Sequence, residues 1–346
     1  MRVLVTGHQG YIGTVMVPAL CAAGHEVIGL DTGYFADCVL GPPTDEAPGI
    51  AGTAPADLRD VTIADLLGID AVVHLAALSN DPLGSLAPEV THQVNHHASV
   101  RLARLAKEAG VSRFVYASTC SVYGSAGDDL VNEDAPLRPL TPYAESKVRV
   151  EEDVAAIADS GFAPVFLRNA TAFGFSPRLR ADIVVNNLVG HAVLTGDVRV
   201  MSDGTPWRPL VHVRDIVGAF AACLTAPREA IYCKAYNVGA FANNLTVSDI
   251  AETVVEAVPG ARLNITGETG ADPRSYRVDF SRLYRNLGFE AVLSVPVGVA
   301  ELYQRYTAYG LTMDAFTNRF TRLARLSQLR ETNVIDESLR RVMSHA

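Results

Sequence analysis

The chain has 346 residues, 49% of them hydrophobic and 19% charged, and its formal net charge of −9 argues against nonspecific nucleic-acid binding, while the composition excludes a disordered chain. Five scattered cysteines without a CxxC pair argue against structural zinc and a disulfide framework, and they fit a reducing cytoplasm. No apolar run reaches membrane-spanning length and no signal-peptide pattern opens the chain, so we expect neither feature.

The first predicted elements are a strand, a glycine-rich turn and a helix. "RVLVT" is predicted as the strand, and "YIGTVMVPALCAAG" as a helix closed by Gly24. The turn "TGHQGYIG" contains Gly7, Gly10 and Gly13. A pyrophosphate can approach backbone N–H groups and a helix N-terminus at such a turn, which predicts a dinucleotide site. The alternative is a turn that only caps a helix.

The second predicted strand, "EVIGLD", ends in Asp31, 18 positions after Gly13. A carboxylate at this place accepts hydrogen bonds from the ribose hydroxyls of adenosine and repels a 2′-phosphate. Thr32 and Gly33 follow, with no arginine or lysine beside them. The sequence therefore predicts NAD rather than NADP as the cofactor.

The next segments continue the alternation of strands and helices. "AVVHLAA", "RFVYAS" and "APVFLRNA" are predicted strands, and "NHHASVRLARLAKEAG" is a predicted helix between the first two. This order is typical of a parallel sheet covered by helices. The sequence predicts an α/β fold, a Rossmann-type doubly wound parallel sheet with a smaller interleaved α/β substrate-binding lobe.

The predicted helix in "TPYAESK" places Tyr143 and Lys147 four residues apart, with Thr141 as N-cap and Pro142 in the first turn. Residues i and i+4 share a helix face, so the phenol and the ammonium can point at one site. A nearby ammonium and an oxidised nicotinamide both favour a phenolate, which can act as a base. The alternative is an ordinary solvated helix face.

The later part of the chain is less regular. Proline and glycine loops appear, and "VSDIAETVVEAVPG" is a clear predicted helix. The expected division is an NAD-binding domain at 1–175 and 212–238, a substrate lobe at 176–211 and 239–310, and a helical extension at 311–346. Apolar residues recur three or four apart in that extension, at Phe316, Phe320, Leu323, Leu326 and Leu329. They predict an amphipathic helix that packs on the protein itself or on a dimer partner.

Taken in order, these motifs resemble the extended short-chain dehydrogenase/reductase family, specifically its nucleotide-sugar epimerases, dehydratases and reductases. The resemblance covers roughly residues 1–310. It rests on "TGHQGYIG", Asp31, "ADLRD", "VVHLAA", "STCSVYG", "YAESK", "LRNATAFG", "NNL", "RPLVHVRDI" and "DPRSYRVDFSRL".

The resemblance implies three catalytic residues, Thr119, Tyr143 and Lys147, with Thr119 beside Tyr143 at the reacting sugar oxygen. By strand alternation Ser118 would then face the cofactor. The alternative is that Thr119 only caps its strand. The implied NAD-binding residues are Gly7, Gly10, Tyr11, Ile12, Gly13, Asp31, Asp57, Leu58, Leu75, Ala76, Ala77, Asn95, Ser118, Tyr143 and Lys147. Among these, Asp57 would lie near the adenine, and Asn95 would be a structural or cofactor-proximal amide.

Cys120 and Ser121 occupy positions where similar 4,6-dehydratases carry an Asp–Glu acid/base pair. A thiol and an alcohol are poor substitutes, which argues against that reaction. A cysteine acid/base occurs in related 3,5-epimerases, but at the position of Ser121. Cys120 is therefore predicted to pack in the core.

The resemblance also implies a site for a nucleotide-diphosphate sugar. Its implied residues are Ser79, Asn80, Thr119, Thr171, Asn187, Leu188, Arg208 and Arg274. Arginine forks suit phosphate oxygens, although each arginine could instead form a surface salt bridge. Asp81 is a further acid/base candidate or, alternatively, a turn former before Pro82. The histidines show no metal-ligand spacing, so no metal is predicted.

The function predicted from these features is an NAD-dependent nucleotide-sugar 4-epimerase, located in the cytoplasm. A 4-ketoreductase of a deoxysugar pathway, other lyase or decarboxylase chemistry on the same substrate class, and a non-catalytic redox sensor are the alternatives. A homodimer is expected by resemblance, through the helices near 96–109 and 143–158. Nucleic-acid and membrane partners are not expected.

Overall fold

The computed structural model describes residues 1–42, 50–55, 57–79, 87–125, 129–268 and 275–342, with the backbone alone for 50–55. In these ranges no helix is long and apolar enough to cross a membrane. The same residues contain no group of three or more His, Cys, Asp and Glu side chains that could hold a metal ion.

Seven parallel strands form the main sheet of the described chain, in the order β11-β7-β5-β4-β1-β2-β3. Their bounds are β1 Arg2–Thr6, β2 Glu26–Asp31, β3 Ile50–Pro55, β4 Ala71–His74, β5 Arg113–Thr119, β7 Ala163–Asn169 and β11 Lys234–Val238. The order grows outward from β1 in both directions, which is the doubly wound arrangement that the sequence predicts. The carboxyl ends of β1, β2 and β4 meet at the point where the order reverses.

Strands of the sheet are apolar on both faces because helices cover both faces. On β1, Val3 and Val5 contribute to one core, whereas Leu4 contributes to the other. The first core lies against helices α1 and α5, and the second against α2 and α3. The helices of eight or more residues, and one of seven, are α1 Gly13–Ala22, α2 Ala98–Glu108, α3 Pro142–Ala156, α4 Val184–Thr195, α5 Val213–Thr225, α6 Val247–Ala257, α7 Ser281–Leu287, α8 Val295–Ala308 and α9 Arg322–Glu331.

The other strands of the described chain form small sheets, and they lie before β7, between β7 and β11, and after β11. The strands of these small sheets are β6 Leu130–Val131, β8 Thr171–Phe173, β9 Asp197–Val200, β10 Trp207–His212, β12 Asn244–Thr246, β13 Arg262–Ile265 and β14 Arg277–Val278. Helices α4, α6 and α8 enclose a separate hydrophobic core beside them. Single turns of helix occur at Pro88–Thr91, His92–His97, Arg228–Ile231 and Ala315–Arg319, among others.

The C-terminal extension packs on the protein's own body. Phe316 and Phe320 are buried in the core of the small lobe, and Leu326 and Leu329 form a small cluster with Tyr34. The predicted single helix is instead broken between Ala315–Arg319 and α9. After α9 the chain turns back, and an isolated bridge pairs Ile335 with Arg341. The extension therefore reaches the carboxyl ends of β2 and β3.

Candidate active site

The glycine-rich turn runs from β1 to α1 and is closely packed. Gly7 has φ +73°, and a Cβ on it would lie 2.9 Å from the backbone nitrogen of Ala76 at the end of β4. A Cβ on Gly13 would lie 2.3 Å from the carbonyl oxygen of Gly7. Both positions therefore require glycine. At these two positions a ligand that approaches the start of α1 would meet backbone and no side chain.

Two residues fasten this turn to the small lobe. The Tyr11 hydroxyl donates to the Gly174 carbonyl at 2.6 Å, and Ser176 Oγ donates to the Tyr11 carbonyl at 2.7 Å. Ser176 Oγ also lies 3.0 Å from Thr14 Oγ1. Burial raises the pKa of the Tyr11 phenol well above its usual value, so this side chain stays neutral. The sequence predicts Tyr11 as a cofactor-binding residue. In the structure its side chain connects the glycine-rich turn to the loop after β8.

Asp31 ends β2 beside the turn, as the sequence predicts. Its carboxylate accepts hydrogen bonds from the backbone nitrogens of Gln9 at 3.0 Å and Gly33 at 2.9 Å. No arginine or lysine neighbours Asp31 in the sequence, but the fold brings one close to it. Arg341 of the C-terminal extension donates from Nη2 to the Thr32 carbonyl at 2.8 Å. A guanidinium therefore lies next to Asp31, the residue that is predicted to select the cofactor.

The segment after β3 is also bound to the extension. Asp57 N-caps a short turn and accepts hydrogen bonds from Arg59, with Nε at 2.9 Å. Arg59 Nη1 in turn donates to the Ser338 carbonyl at 2.7 Å. Leu58 is buried in the core between the sheet and α2. Its side chain is therefore not presented to a ligand.

Asn95 is buried and holds the loop after β4. Its Oδ1 accepts from the Leu78 nitrogen at 2.7 Å, and its Nδ2 donates to the Leu78 carbonyl. Of the two expected roles, the structure shows the structural one. Leu75, Ala76 and Ala77 are half-buried along this same strand end.

The predicted catalytic residues meet at the ends of β5 and α3. Thr119 is the last residue of β5, and its Oγ1 accepts from the Ser121 nitrogen at 3.1 Å. Tyr143 is half-buried in the first turn of α3. The Lys147 ammonium lies 5.6 Å from the centre of the Tyr143 ring. The i, i+4 spacing thus places phenol and ammonium on one helix face, as the sequence predicts.

Lys147 is the most buried member of this set, with 2% of its surface exposed. Its Nζ donates to the Ala117 carbonyl at 2.7 Å and lies 4.6 Å from the centre of the Tyr116 ring. Burial lowers the pKa of Lys147 to about 7, while the Glu151 carboxylate acts in the opposite direction. The ammonium is therefore held rigidly and titrates near neutral pH.

Ser118 does not meet its expectation of facing the cofactor. Its hydroxyl donates to Glu151 Oε1 at 2.5 Å, inside the protein. Glu151 also accepts from Arg168 Nη2 at 2.7 Å, in an ion pair of which both side chains are buried. Helix α3 covers the side of β5 on which Ser118 lies, and it supplies the hydrogen-bond partner. The Ser118 side chain belongs to this buried network.

Cys120 lies in the core, as predicted. Its thiol donates to the Arg168 carbonyl at 3.1 Å, and burial raises its pKa far above the usual value. A thiol in this environment stays protonated and away from any substrate.

The predicted substrate residues are only partly brought together. Ser79 Oγ accepts from Arg180 at 3.1 Å, and Thr171 is half-buried on β8. Arg208 Nη1 donates to the Trp207 carbonyl at 2.9 Å. Asn80, Asp81 and Arg274 lie outside the described residues.

The pair at the start of α4 differs from expectation. The Asn187 side chain donates to the Ala181 carbonyl at 2.8 Å, and Leu188 is buried in the core of the small lobe. The side-chain amide therefore stabilises the loop before the helix. The Leu188 side chain faces the interior.

Arg180 is a residue of the site that sequence reasoning missed. It forms an ion pair with Asp182 at 3.0 Å, and it lies close enough to Tyr143 for the two charges to interact. Arg180 therefore adds a second positive charge within electrostatic range of Tyr143. The signal was present in "SPRLRAD", but only the fold brings this loop to α3.

The comparisons with known proteins agree with this geometry. A model of the NAD dependent epimerase/dehydratase family matches residues 3–239. The chain belongs to this family. A dTDP-glucose 4,6-dehydratase of Streptomyces griseus is 30% identical over 314 residues, which cover 86% of this chain and 92% of the relative. A UDP-glucose 4-epimerase of Mycolicibacterium smegmatis is 29% identical over 87% of this chain and 97% of its own length.

A solved structure of MoeE5 in complex with UDP-glucuronic acid and NAD is also similar. It has a TM-score of 0.76 and 30% identity, and the match covers 89% of this chain and 99% of that chain. The epimerase/dehydratase family thus accounts for the fold and for the dependence on NAD.

The residues present in this epimerase/dehydratase family member fit NAD. The glycine-rich turn has no space for side chains at Gly7 and Gly13, as a pyrophosphate site requires. At the end of β7, Asn169 Nδ2 donates to the Ser118 carbonyl at 3.3 Å. This bond fixes the amide orientation and leaves Oδ1 buried without a donor among the described residues. Such an acceptor suits the carboxamide of a nicotinamide.

Asp31→Asn is expected to reduce the preference for NAD over NADP by about tenfold or more. The variant removes the negative charge that repels a 2′-phosphate and leaves Arg341 beside it. The dissociation constants of both cofactors, measured by calorimetry, test this expectation. Asp37→Asn, which changes a nearby exposed acid, serves as the control. Tighter binding of NADP than of NAD by the unmodified enzyme would show that Asp31 does not select the cofactor.

Proposed function

We propose that this protein is an NAD-dependent 4-epimerase of a nucleotide-diphosphate hexose. The observation that carries the proposal is the grouping of Thr119, Tyr143 and Lys147 at one strand end, next to a position where no dehydratase acid is available. The named relatives act on nucleotide sugars, which supports the substrate class. The proposal does not specify the nucleotide or the hexose.

In the proposed reaction Tyr143, as phenolate, takes the proton of the sugar 4-hydroxyl. The Lys147 and Arg180 cations stabilise that phenolate, and Lys147 is fixed by Ala117 and Tyr116. Thr119 donates a hydrogen bond to the same sugar oxygen. The chemistry that NAD supplies when bound is reversible hydride transfer, which at C4 gives a keto sugar that can be reduced on either face.

The environment of Cys120 supports epimerisation over 4,6-dehydration. Dehydration needs one group to protonate the leaving 6-hydroxyl and another to take the C5 proton. Cys120 is buried with its thiol bonded to the Arg168 carbonyl, and Ser121 offers only a hydroxyl. Neither group can perform these two transfers at neutral pH.

We also propose that the enzyme acts in the cytoplasm as a homodimer through α2 and α3. These helices lie side by side, and His96 on the turn before α2 pairs with Asp153 of α3 at 2.6 Å. In the described chain the cysteines are free, which fits a reducing compartment. A solution mass near twice 37.0 kDa is the result that the dimer requires.

An isotope experiment tests the reaction. UDP-glucose, dTDP-glucose and UDP-glucuronic acid, each with deuterium at C4, are incubated with the enzyme and with Tyr143→Phe as an inactive control. We expect the 4-epimer with deuterium retained at C4, no solvent deuterium at C3 or C5, and no net consumption of NADH. Solvent label at C5 with loss of water would show a dehydratase. Consumption of NADH or NADPH with a 4-keto sugar would show a ketoreductase.

A further inference from the structure

Two arginines with buried, unsatisfied N–H groups lie between the small lobe and the C-terminal extension. Arg178 belongs to the loop between β8 and α4, and Arg322 is the first residue of α9. Nε and Nη1 of Arg178 and Nη1 of Arg322 are buried and have no acceptor among the described residues. The neighbouring Arg180 differs, because it is paired with Asp182.

Arg322 is held in one orientation, although no carboxylate of the described residues pairs with its guanidinium. It is 6% exposed, its guanidinium lies 4.0 Å from the centre of the Phe35 ring, and Nη2 donates to the Arg178 carbonyl at 3.3 Å. Burial lowers its pKa to about 10, and the positive charge of Arg180 acts in the same direction. The side chain is therefore preorganised but electrostatically uncompensated.

The acids near these arginines are already engaged. Asp31 accepts two backbone N–H groups, and Asp37 forms an ion pair with Arg325 at 2.7 Å. Within the described chain, neither Arg178 nor Arg322 has a carboxylate within ion-pair distance. Arg322 is buried and Arg178 is half-buried, and placing two such cations side by side without an anion is costly, so this arrangement is suited to an anionic ligand. Guanidinium forks match phosphate oxygens in particular.

The positions of Arg178 and Arg322 indicate which phosphate group they would bind. Ser176, two residues before Arg178, is bonded to Tyr11 and Thr14 of the glycine-rich turn and α1. Asp31 is close enough to Arg178 for the two charges to interact. Arg178 thus follows by two residues a direct contact with the turn that is predicted to receive a pyrophosphate, and it is within electrostatic range of the carboxylate that is predicted to accept a ribose.

We propose that Arg178 and Arg322 bind the pyrophosphate of NAD from the side opposite the glycine-rich turn. The turn supplies backbone N–H groups, and the two arginines supply the charge. Arg341 and Arg59 hold the rest of the extension over the adenosine end. The C-terminal extension is therefore part of the cofactor site. This inference does not depend on which sugar reaction the enzyme performs.

A ligand series measured by calorimetry on the full-length enzyme, freed of nucleotide, tests the proposal. Adenosine, ADP-ribose, NAD and UDP are the ligands, and Arg178→Met and Arg322→Met are the variants. Each variant should bind ADP-ribose and NAD about 10- to 100-fold more weakly, because a charge-assisted hydrogen bond is lost. Adenosine, which has no phosphate, should bind equally well. Arg330→Met, on an exposed position of the same helix, should change nothing.

Thermal unfolding separates binding from a structural role. Without nucleotide, Arg322→Met should melt at the same or a higher temperature than the unmodified enzyme, because a buried unpaired charge is removed. With saturating NAD the order should reverse. The proposal is wrong if Arg322→Met melts lower without nucleotide and binds ADP-ribose normally. It is equally wrong if UDP binding falls while ADP-ribose binding is unchanged, since the pair would then hold the sugar nucleotide.

Discussion

The turnover rate of Tyr143→Phe is expected to be about 10²- to 10⁴-fold lower than that of the unmodified enzyme, while the variant still binds NAD. The change removes one oxygen from a half-buried ring whose helix position and neighbouring Lys147 stay in place. In the proposed mechanism this phenol takes the proton of the 4-hydroxyl, so the variant lacks the base. Single-turnover kinetics and the NAD content of the purified protein measure the two expectations.

Variants of two neighbouring residues give rates with which the rate of Tyr143→Phe can be compared. Thr119→Ala should lose about 100-fold in rate, because one hydrogen-bond donor near a developing charge is removed. Cys120→Ala should be nearly neutral in rate, because its thiol is bonded within the core. Substantial residual turnover in Tyr143→Phe would contradict the assigned base. A severe rate loss in a correctly folded Cys120→Ala would show that the thiol takes part in the chemistry.

Phe316→Ala is expected to reduce the free energy of unfolding by about 3–5 kcal/mol. Phe316 is 2% exposed, and its ring lies where a Cβ on Gly190 of α4 would stand, at 2.1 Å. It also meets the His191 ring edge-to-face at 5.2 Å. Truncation leaves a cavity in the core of the small lobe, which α4 cannot fill because it has no side chain at that point.

Chemical denaturation of the two proteins measures this loss. Phe241→Ala is the matched control, since Phe241 is 67% exposed and its removal should change stability by less than about 0.5 kcal/mol. Removal of the chain after Tyr309 should lower solubility or stability further, because it exposes the same core. Equal stability of the full chain and Phe316→Ala would mean that the extension contributes little to the fold.

The strands of the main sheet that can be predicted are those whose own residues show the pattern of a buried strand. β1, β2, β5 and β7 are runs of branched and aromatic residues that end in polar ones, and the structure confirms them. The strand β3, "IAGTAP", was missed because small residues give no apolar pattern. The strands of the small sheets, two to six residues long, are defined by their pairing partners, which no local window contains.

Some residues of the candidate site can likewise be predicted from short local segments, and others cannot. The glycine-rich turn and the Tyr143–Lys147 pair lie within short segments, so their spacing alone indicates their chemistry. Arg178, Arg322 and Arg341, which the proposal places around the cofactor, come together only through packing, and no local sequence pattern marks them. Strand alternation predicts on which side of β5 the Ser118 side chain lies. It cannot predict that α3 covers that side and supplies Glu151 as the hydrogen-bond partner.

The route of the C-terminal extension also sets an order for biosynthesis. Arg59 bonds to the carbonyl oxygens of Ser338 and Leu339, which lie 279 and 280 positions later. Chains emerge at about 5–20 residues per second, and N-terminal units fold first. The nucleotide-binding sheet can therefore assemble while the extension is still within the ribosome. On the proposed role of the extension, a nascent chain that still lacks it also lacks Arg322 at the cofactor site and Arg341 beside it.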